Sequence, residues 1–140
     1  MQNISIRPYR TDDYESVKRI LREGELFEPH WDSKEVLEKM IVQYPELILV
    51  AEKDGEVVGN VYVIGIWEGM IFRLAVSKNQ RNQGIASSLL NATEEKMKEK
   101  GIKEYQLFFN AEDKELERFY QKRGFQGSEK RYRCMWKRLE

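Results

Sequence analysis

The sequence predicts one α/β domain over residues 1–140, with a mixed, mostly antiparallel twisted sheet of six to seven strands flanked by about four helices. Three observations carry that expectation. Stretches with apolar residues at helical spacing are interleaved with short alternating or β-branched runs. Asp54-Gly55 stands between two such runs, a two-residue hairpin signal. Finally, Ile71-Phe72-Arg73-Leu74-Ala75-Val76 is followed by a polar turn and then by apolar positions Ile85, Ala86, Leu89, Leu90, Thr93 and Met97, which reads as strand, tight loop and helix.

Taken in order, Ile4-Ser5-Ile6-Arg7 alternates as a first strand ended by Pro8. Thr11 and Asp12 cap a helix, with Glu15 three residues after Asp12 and a buried stripe of Tyr14, Val17, Ile20 and Leu21 running to Gly24. Glu25–Trp31 has no clear period and reads as a loop with buried aromatic anchors, the kind of segment that shapes substrate pockets. Asp32 and Glu35 repeat the capping pattern for a second helix with Val36, Leu37, Met40 and Ile41 apolar, closed before Pro45. Ile48–Ala51 and Val57–Ile64 then pair antiparallel around Asp54-Gly55, and Trp67-Glu68-Gly69 turns the chain into the strand ending at Val76. The central helix stops at Gly101, after Lys96, Lys98 and Lys100. Tyr105–Phe109 is a strand reached through a helix and so parallel to its predecessor. Asp113 starts the last helix, which carries Leu116, Phe119 and Tyr120 and ends at Gly124; Tyr132–Leu139 alternates as a final strand.

Composition narrows the class. Lys and Arg total 24, Asp and Glu total 24, so the net charge is formally zero, which argues against a dedicated nucleic-acid binder. The single Cys134 offers no internal disulfide and no zinc cluster, and points to a reducing cytoplasm. No signal-like start and no window of about eighteen apolar residues occurs, so no membrane association is expected.

The start of the central helix is chemically unusual. Helices commonly carry Asp or Glu in the first turn, yet no acidic residue occurs from Ile71 to Thr93, while Arg73, Lys78 and Arg81 do. Uncommitted amides, a glycine that lets the backbone approach, and nearby cations make a site for a phosphate-like anion. The three-glycine dinucleotide fingerprint and the Gly-Lys-Ser/Thr ending of a P-loop are both absent, which disfavours an ordinary NAD or ATP site. What remains, Arg81-Asn82-Gln83-Gly84-Ile85-Ala86, resembles the Arg/Gln-x-x-Gly-x-Gly/Ala signature of the GNAT superfamily of acyl-CoA-dependent N-acetyltransferases. Glu117-Arg118-Phe119-Tyr120-Gln121-Lys122-Arg123-Gly124-Phe125 is similar to that family's aromatic-Tyr-x-x-x-Gly-Phe segment, and the order of elements is the family's layout over nearly the whole chain.

The resemblance implies acetyl-CoA as acyl donor, no metal, and an amine acceptor, either a small molecule or a peptide or protein amine, with the protein a monomer or homodimer. It implies that the backbone of Leu74, Ala75 and Val76 bonds the pantetheine arm, and that Arg81, Asn82, Gln83, Gly84, Ile85, Ala86 and Ser87 surround the pyrophosphate. Tyr120 takes the place of the general acid: a phenol of pKa ~10 can protonate a thiolate whose conjugate acid is ~8.5. Asp113 stands where many relatives carry Asn, and an acid there can cap the helix instead. Relatives with a Glu early in the strand after the central helix would place it near Phe108, which accepts no proton, so Glu68, Glu28, His30 or water is left as base. A non-catalytic acyl-CoA-binding or regulatory module is the alternative reading; an RNA-interaction domain using Lys130-Arg131-Tyr132-Arg133 is a remote one.

Overall fold

The computed structural model describes residues 3–64 and 69–140 and contains two compact units, Met1–Leu107 and Phe108–Glu140. The first is built on a four-stranded antiparallel sheet in the order β1-β2-β3-β4, formed by Ile4–Pro8, Ile48–Lys53, Glu56–Ile64 and Met70–Val76. Asp54 and Gly55 form the two-residue β2–β3 turn with φ of 52° and 83°, the double positive φ that matches the strands' own twist.

Helix α1 (Tyr14–Glu23) buries Tyr14, Val17, Ile20 and Leu21, as its period predicts. Its cap differs from the expected one. A 3-10 turn at Thr11–Asp13 precedes the helix, and Asp13, not Asp12, is the turning point: its carboxylate accepts from the amide of Arg10 at 2.8 Å and from both terminal nitrogens of Arg7. Burial of Asp13 works to raise its pKa, but the hydrogen bonds from Arg7 and Arg10 outweigh it and the pKa is lowered. The second helical segment also departs from expectation, because it is two helices. Pro29 opens the single turn α2 (Pro29–Asp32), where its fixed φ suits a first helical position, and extended Ser33 then caps α3 (Lys34–Gln43) by accepting from the amide of Val36 at 3.2 Å. Asp32 therefore does not cap α3; its carboxylate accepts instead from the amide of Glu28 at 2.9 Å.

One apolar cluster joins α1 and Leu37 of α3 to Ile48, Val50, Val57 and Tyr62 on one face of the sheet. The alternating Leu49 and Ala51, equally buried, point to the other face. There helix α4 (Ile85–Glu99) seats Ile85 and Leu89 so closely on Gly59 that a Cβ at that position would lie 3.0 and 3.1 Å from them. The helix ends as expected, with Lys100 as its cap and Gly101 at φ 80°.

Two expected strands are not formed. Tyr105–Phe109 is reduced to one parallel bridge, Met70 to Gln106, with Gln106 donating to Gly69 at 2.9 Å and Ile71 donating to Gln106 at 3.2 Å. The backbones approach so closely there that a Cβ on Gly69 would lie 2.6 Å from the carbonyl oxygen of Glu104, so only glycine fits. Residues 132–139 pair with no strand among the described residues, and Tyr132, Met135, Trp136 and Leu139 are exposed. Alternation specifies two faces for a strand but supplies no neighbouring edge, so among the described residues the sheet has four strands and a bridge where six to seven strands were expected. The α/β class with its antiparallel sheet stands. Five α-helices occur among the described residues, the fifth being α5 (Lys114–Lys122) in the second unit.

Candidate functional site

The predicted strand, turn and helix form one continuous structure from β4 to α4. After Val76 the chain runs through Ser77, a 3-10 turn at Lys78–Gln80, and Arg81-Asn82-Gln83 to Gly84, the residue before α4. Gly84 is left-handed, with φ 82°, and Asn82 is left-handed as well, with φ 63°. Glycine satisfies that conformation without strain, and a Cβ at Gly84 would meet nothing within 4 Å, so the space in front of the helix is open. No side chain caps the helix and no acid stands in its first turn. Its first intrahelical bond runs from the amide of Ser88 to Gly84 at 3.0 Å, which leaves the amides of Ile85, Ala86 and Ser87 ahead of it without helical partners.

Two distant residues and one within the loop hold it in place. Glu23, at the end of α1, accepts from the amide of Lys78 at 3.0 Å. The amine of Lys53, at the end of β2, donates to Gln80 at 3.0 Å and to Gln83 at 2.6 Å. Arg81 folds back so that its Nε donates to the carbonyl of Val76 at 3.3 Å.

Leu74, Ala75 and Val76 lie on the last strand of the sheet, paired to β3 through Asn60–Ala75 and Gly59–Val76. Among the described residues of the first unit, the opposite edge of that strand carries the Met70–Gln106 bridge and no ladder from Phe72 to Val76. The register of β3 on β4 shifts between Asn60 and Tyr62, and Arg73 in the shifted segment has φ 55°. That is a β-bulge carried by a non-glycine residue.

The segment before α3 is a side-chain assembly. Lys18 and Arg22 lie over the ring of Phe27, and Trp31, 56% exposed, is tilted against Phe72 at 5.8 Å between ring centroids. Glu28 caps α2 and meets the imidazole Nδ1 of His30 at 2.8 Å, so two of the expected base candidates pair with each other. Glu68, the third, lies outside the described residues.

Tyr120 belongs to the second unit, on α5. Its ring is 6% exposed and packs against Phe109, Phe119 and Phe125, each with centroids 5.2 to 5.4 Å away. Burial pushes its phenol up to about 12. The carbonyl of Tyr120 accepts from the amide of Phe125 at 3.1 Å across left-handed Gly124, which closes the helix where the sequence predicts. Asp113 caps α5 by accepting from the amide of Leu116 at 3.0 Å. Among the described residues no group of three or more His, Cys, Asp and Glu side chains could hold a metal ion, and no helix is long and apolar enough to cross a membrane.

The family model for the acetyltransferase (GNAT) family matches residues 7–125. The chain belongs to that family. An acetyltransferase of Pectobacterium atrosepticum is 30% identical over 122 residues, spanning 85% of each chain, and one of Sodalis glossinidius is 30% identical over 122 residues, spanning 85% of this chain and 84% of that one. The PaiA N-acetyltransferase of Thermoplasma acidophilum, solved in complex with coenzyme A, superposes with a TM-score of 0.78 at 25% identity over 92% of this chain and 93% of that chain. Ard1 of Thermoplasma volcanium gives a TM-score of 0.75 at 28% identity over 87% and 82%.

Sequence reading of this GNAT chain missed Glu23, Lys53, Asn60 and Asp32, which hold the loop and β4. Only Asn60 left a local signal, as a polar residue inside the run Val57–Val63.

Proposed function

We propose that this chain is an acetyl-CoA-dependent N-acetyltransferase that transfers the acetyl group to a primary amine by direct attack in a ternary complex. The observation that carries the reading is the acid-free, left-handed entry to α4, open above Gly84, directly after a strand whose outer edge is without a ladder in its own unit. An extended pantetheine arm suits such an edge, with the backbone of Leu74, Ala75 and Val76 bonding it as an added strand. The amides from Asn82 to Ser87 suit a pyrophosphate, with Arg81 and Gln83 beside them. The coenzyme A bound to the Thermoplasma acidophilum relative supports the same donor here.

In the reaction the neutral amine attacks the thioester carbon, an N–H of β4 stabilises the oxyanion, and the C–S bond then breaks. The amine's extra proton leaves to water or through the Glu28–His30 pair, and Tyr120 supplies a proton to the departing thiolate. Burial ensures that this phenol is protonated at every working pH, while making the transfer more uphill than for an exposed tyrosine. That same burial favours the second reading, a module that binds acyl-CoA without turnover.

The acceptor is a small-molecule, peptide or protein amine, and the chain works as one domain, monomeric or homodimeric, in the cytoplasm. The test is release of free thiol from acetyl-CoA across a panel of amines, beside a thermal shift with acetyl-CoA alone. Amine-dependent thiol release supports the transferase. A thermal shift without turnover supports the binding module, and neither response overturns both.

A further inference from the structure

The β4 bulge is held by a residue 41 positions away. Asp32 has a side chain with 0% exposure, and both of its oxygens are engaged: Oδ1 accepts from the hydroxyl of Tyr62 at 2.9 Å and from Nε of Arg73 at 3.3 Å, while Oδ2 accepts from the amide of Glu28 at 2.9 Å and lies 3.2 Å from Nη2 of Arg73 in an ion pair. A carboxylate so enclosed, with both oxygens held by Tyr62, Glu28 and Arg73, is shut off from a substrate in solvent. Its chemistry is directed at Arg73.

Arg73 pays a backbone penalty to meet it. In a regular strand, residues 72 and 73 point to opposite faces, yet the guanidinium of Arg73 lies 4.7 Å from the ring centroid of Phe72. Left-handed φ at Arg73 turns its side chain onto the Phe72 face, where Asp32 waits. The carbonyl of Arg73 is fixed as well, accepting from Nδ2 of fully buried Asn60 at 2.8 Å. The bulge sets Arg73 and Leu74 against Val61 alone, since Asn60 pairs with Ala75 and Tyr62 with Phe72. A one-residue change of register reverses which amides of a strand point outward. The conformation at Arg73 therefore decides which amides of Leu74, Ala75 and Val76 face the open edge.

We infer that Asp32 is a positioning residue for the acyl donor: its buried carboxylate holds Arg73 left-handed and so aims the β4 amides outward. The inference rests on the proposed role of Leu74–Val76, but the conformational half of it can be read without any cofactor.

The experiment compares glycine with alanine at residue 73. Asp32→Asn is expected to weaken acetyl-CoA binding roughly tenfold, the affinity equivalent of releasing a strained left-handed residue. Asp32→Asn/Arg73→Gly is expected to recover most of that loss, because glycine adopts positive φ freely, whereas Asp32→Asn/Arg73→Ala, which lacks the same guanidinium, stays weak. Equal affinity of the two double variants overturns the inference, since a purely structural pin between α2 and the sheet is blind to the choice of glycine or alanine. If Asp32→Asn does not fold, Arg73→Gly against Arg73→Ala on the wild-type chain makes the same comparison, because Asp32 keeps Tyr62 and Glu28 in both. Independently of binding, positive φ brings a residue's Hα close to its own amide, so wild type should give a strong intraresidue NOE at Arg73 that Asp32→Asn weakens. Persistence of the strong NOE in Asp32→Asn overturns the inference. Absence of acetyl-CoA binding by wild type defeats the proposed function instead, and leaves the NOE to decide what Asp32 does.

Discussion

The turn into α4 and the segment from Glu25 to Ser33 are of similar length, and they are built on opposite principles. The first offers mainly backbone. Its left-handed Gly84, uncapped helix start and amides without helical partners are consequences of local residue choice, and the side chains that support it, Glu23 and Lys53, come from α1 and β2. The second consists of side chains met by others on α1, β3 and β4: Phe27 with Lys18 and Arg22, Trp31 with Phe72, Asp32 with Tyr62 and Arg73. A site made of backbone suits a ligand common to a whole family, because amides are the same in every member. One made of side chains suits an acceptor that differs between members.

The sharpest break of that comparison is a charge placed in the backbone site. Gly84→Asp should abolish the thermal stabilisation by acetyl-CoA, which for wild type amounts to about 2.7 kcal/mol at a ligand concentration of 100 times Kd. The left-handed φ of 82° complicates any single substitution there, so Gly84→Asn is the control: asparagine tolerates that conformation and carries no charge. Retained binding in Gly84→Asn with loss in Gly84→Asp locates the effect in the anion's field. Unchanged affinity in a folded Gly84→Asp would falsify the pyrophosphate assignment.

Next in size is Tyr120→Phe. The ring keeps its packing on Phe109, Phe119 and Phe125, so stability and acetyl-CoA affinity should hardly move, while loss of a general acid lowers kcat by about 10²–10⁴-fold. The loss should shrink with thioesters of more acidic thiols, because the acid matters only as the C–S bond breaks. Equal kcat in the two proteins removes Tyr120 from the chemistry.

What was legible in the sequence follows the same division. The Asp54-Gly55 turn, the stop of α4 at Gly101 and the open start at Gly84 are each decided within a few residues, and each stands where the residues predict. Asp32 shows the limit. As a sequence it looks like a helix cap three residues before Glu35, but Ser33 takes the cap and Pro29 starts a separate turn, which leaves the carboxylate to be claimed by Tyr62 and Arg73. Nothing in a window around residue 32 announces partners 30 and 41 positions away. The expected strand at Tyr132–Leu139 fails for a related reason, since its alternation is intact while its pairing partner is a tertiary fact.

A smaller effect tests whether the Glu25–Ser33 segment serves the acceptor. Trp31→Ala removes a half-exposed ring from Phe72 of β4 but leaves Leu74–Val76 and the α4 turn unaltered, so acetyl-CoA affinity should stay within about twofold while the KM of a working amine rises several-fold, roughly the loss of one aromatic contact. A change in acetyl-CoA affinity with no change in amine KM would reverse the assignment of the two regions.

The subtlest expectation concerns the shape of the pH profile. As the proposed acid Tyr120 acts when protonated, and burial pushes its phenol up to about 12, so it should cause no falling limb until pH approaches that value. An alkylamine acceptor of pKa ~10.4 must be neutral to attack, which gives kcat/KM a rising limb. If water carries the proton away, the rise continues toward the amine's own pKa; if the Glu28–His30 pair is the base, it levels off well below, and His30→Gln removes the early plateau. The stability sign is fixed by the same shift. A folded pKa above the unfolded value of ~10 means that Tyr120 stabilises fully below pH 10 and loses that contribution as pH rises toward 12, so the melting temperature should fall across that window in wild type and less in Tyr120→Phe. A falling activity limb near pH ~10 in wild type, absent from Tyr120→Phe, would mean that the phenol titrates as an exposed group during turnover and that its burial is relieved when the donor binds.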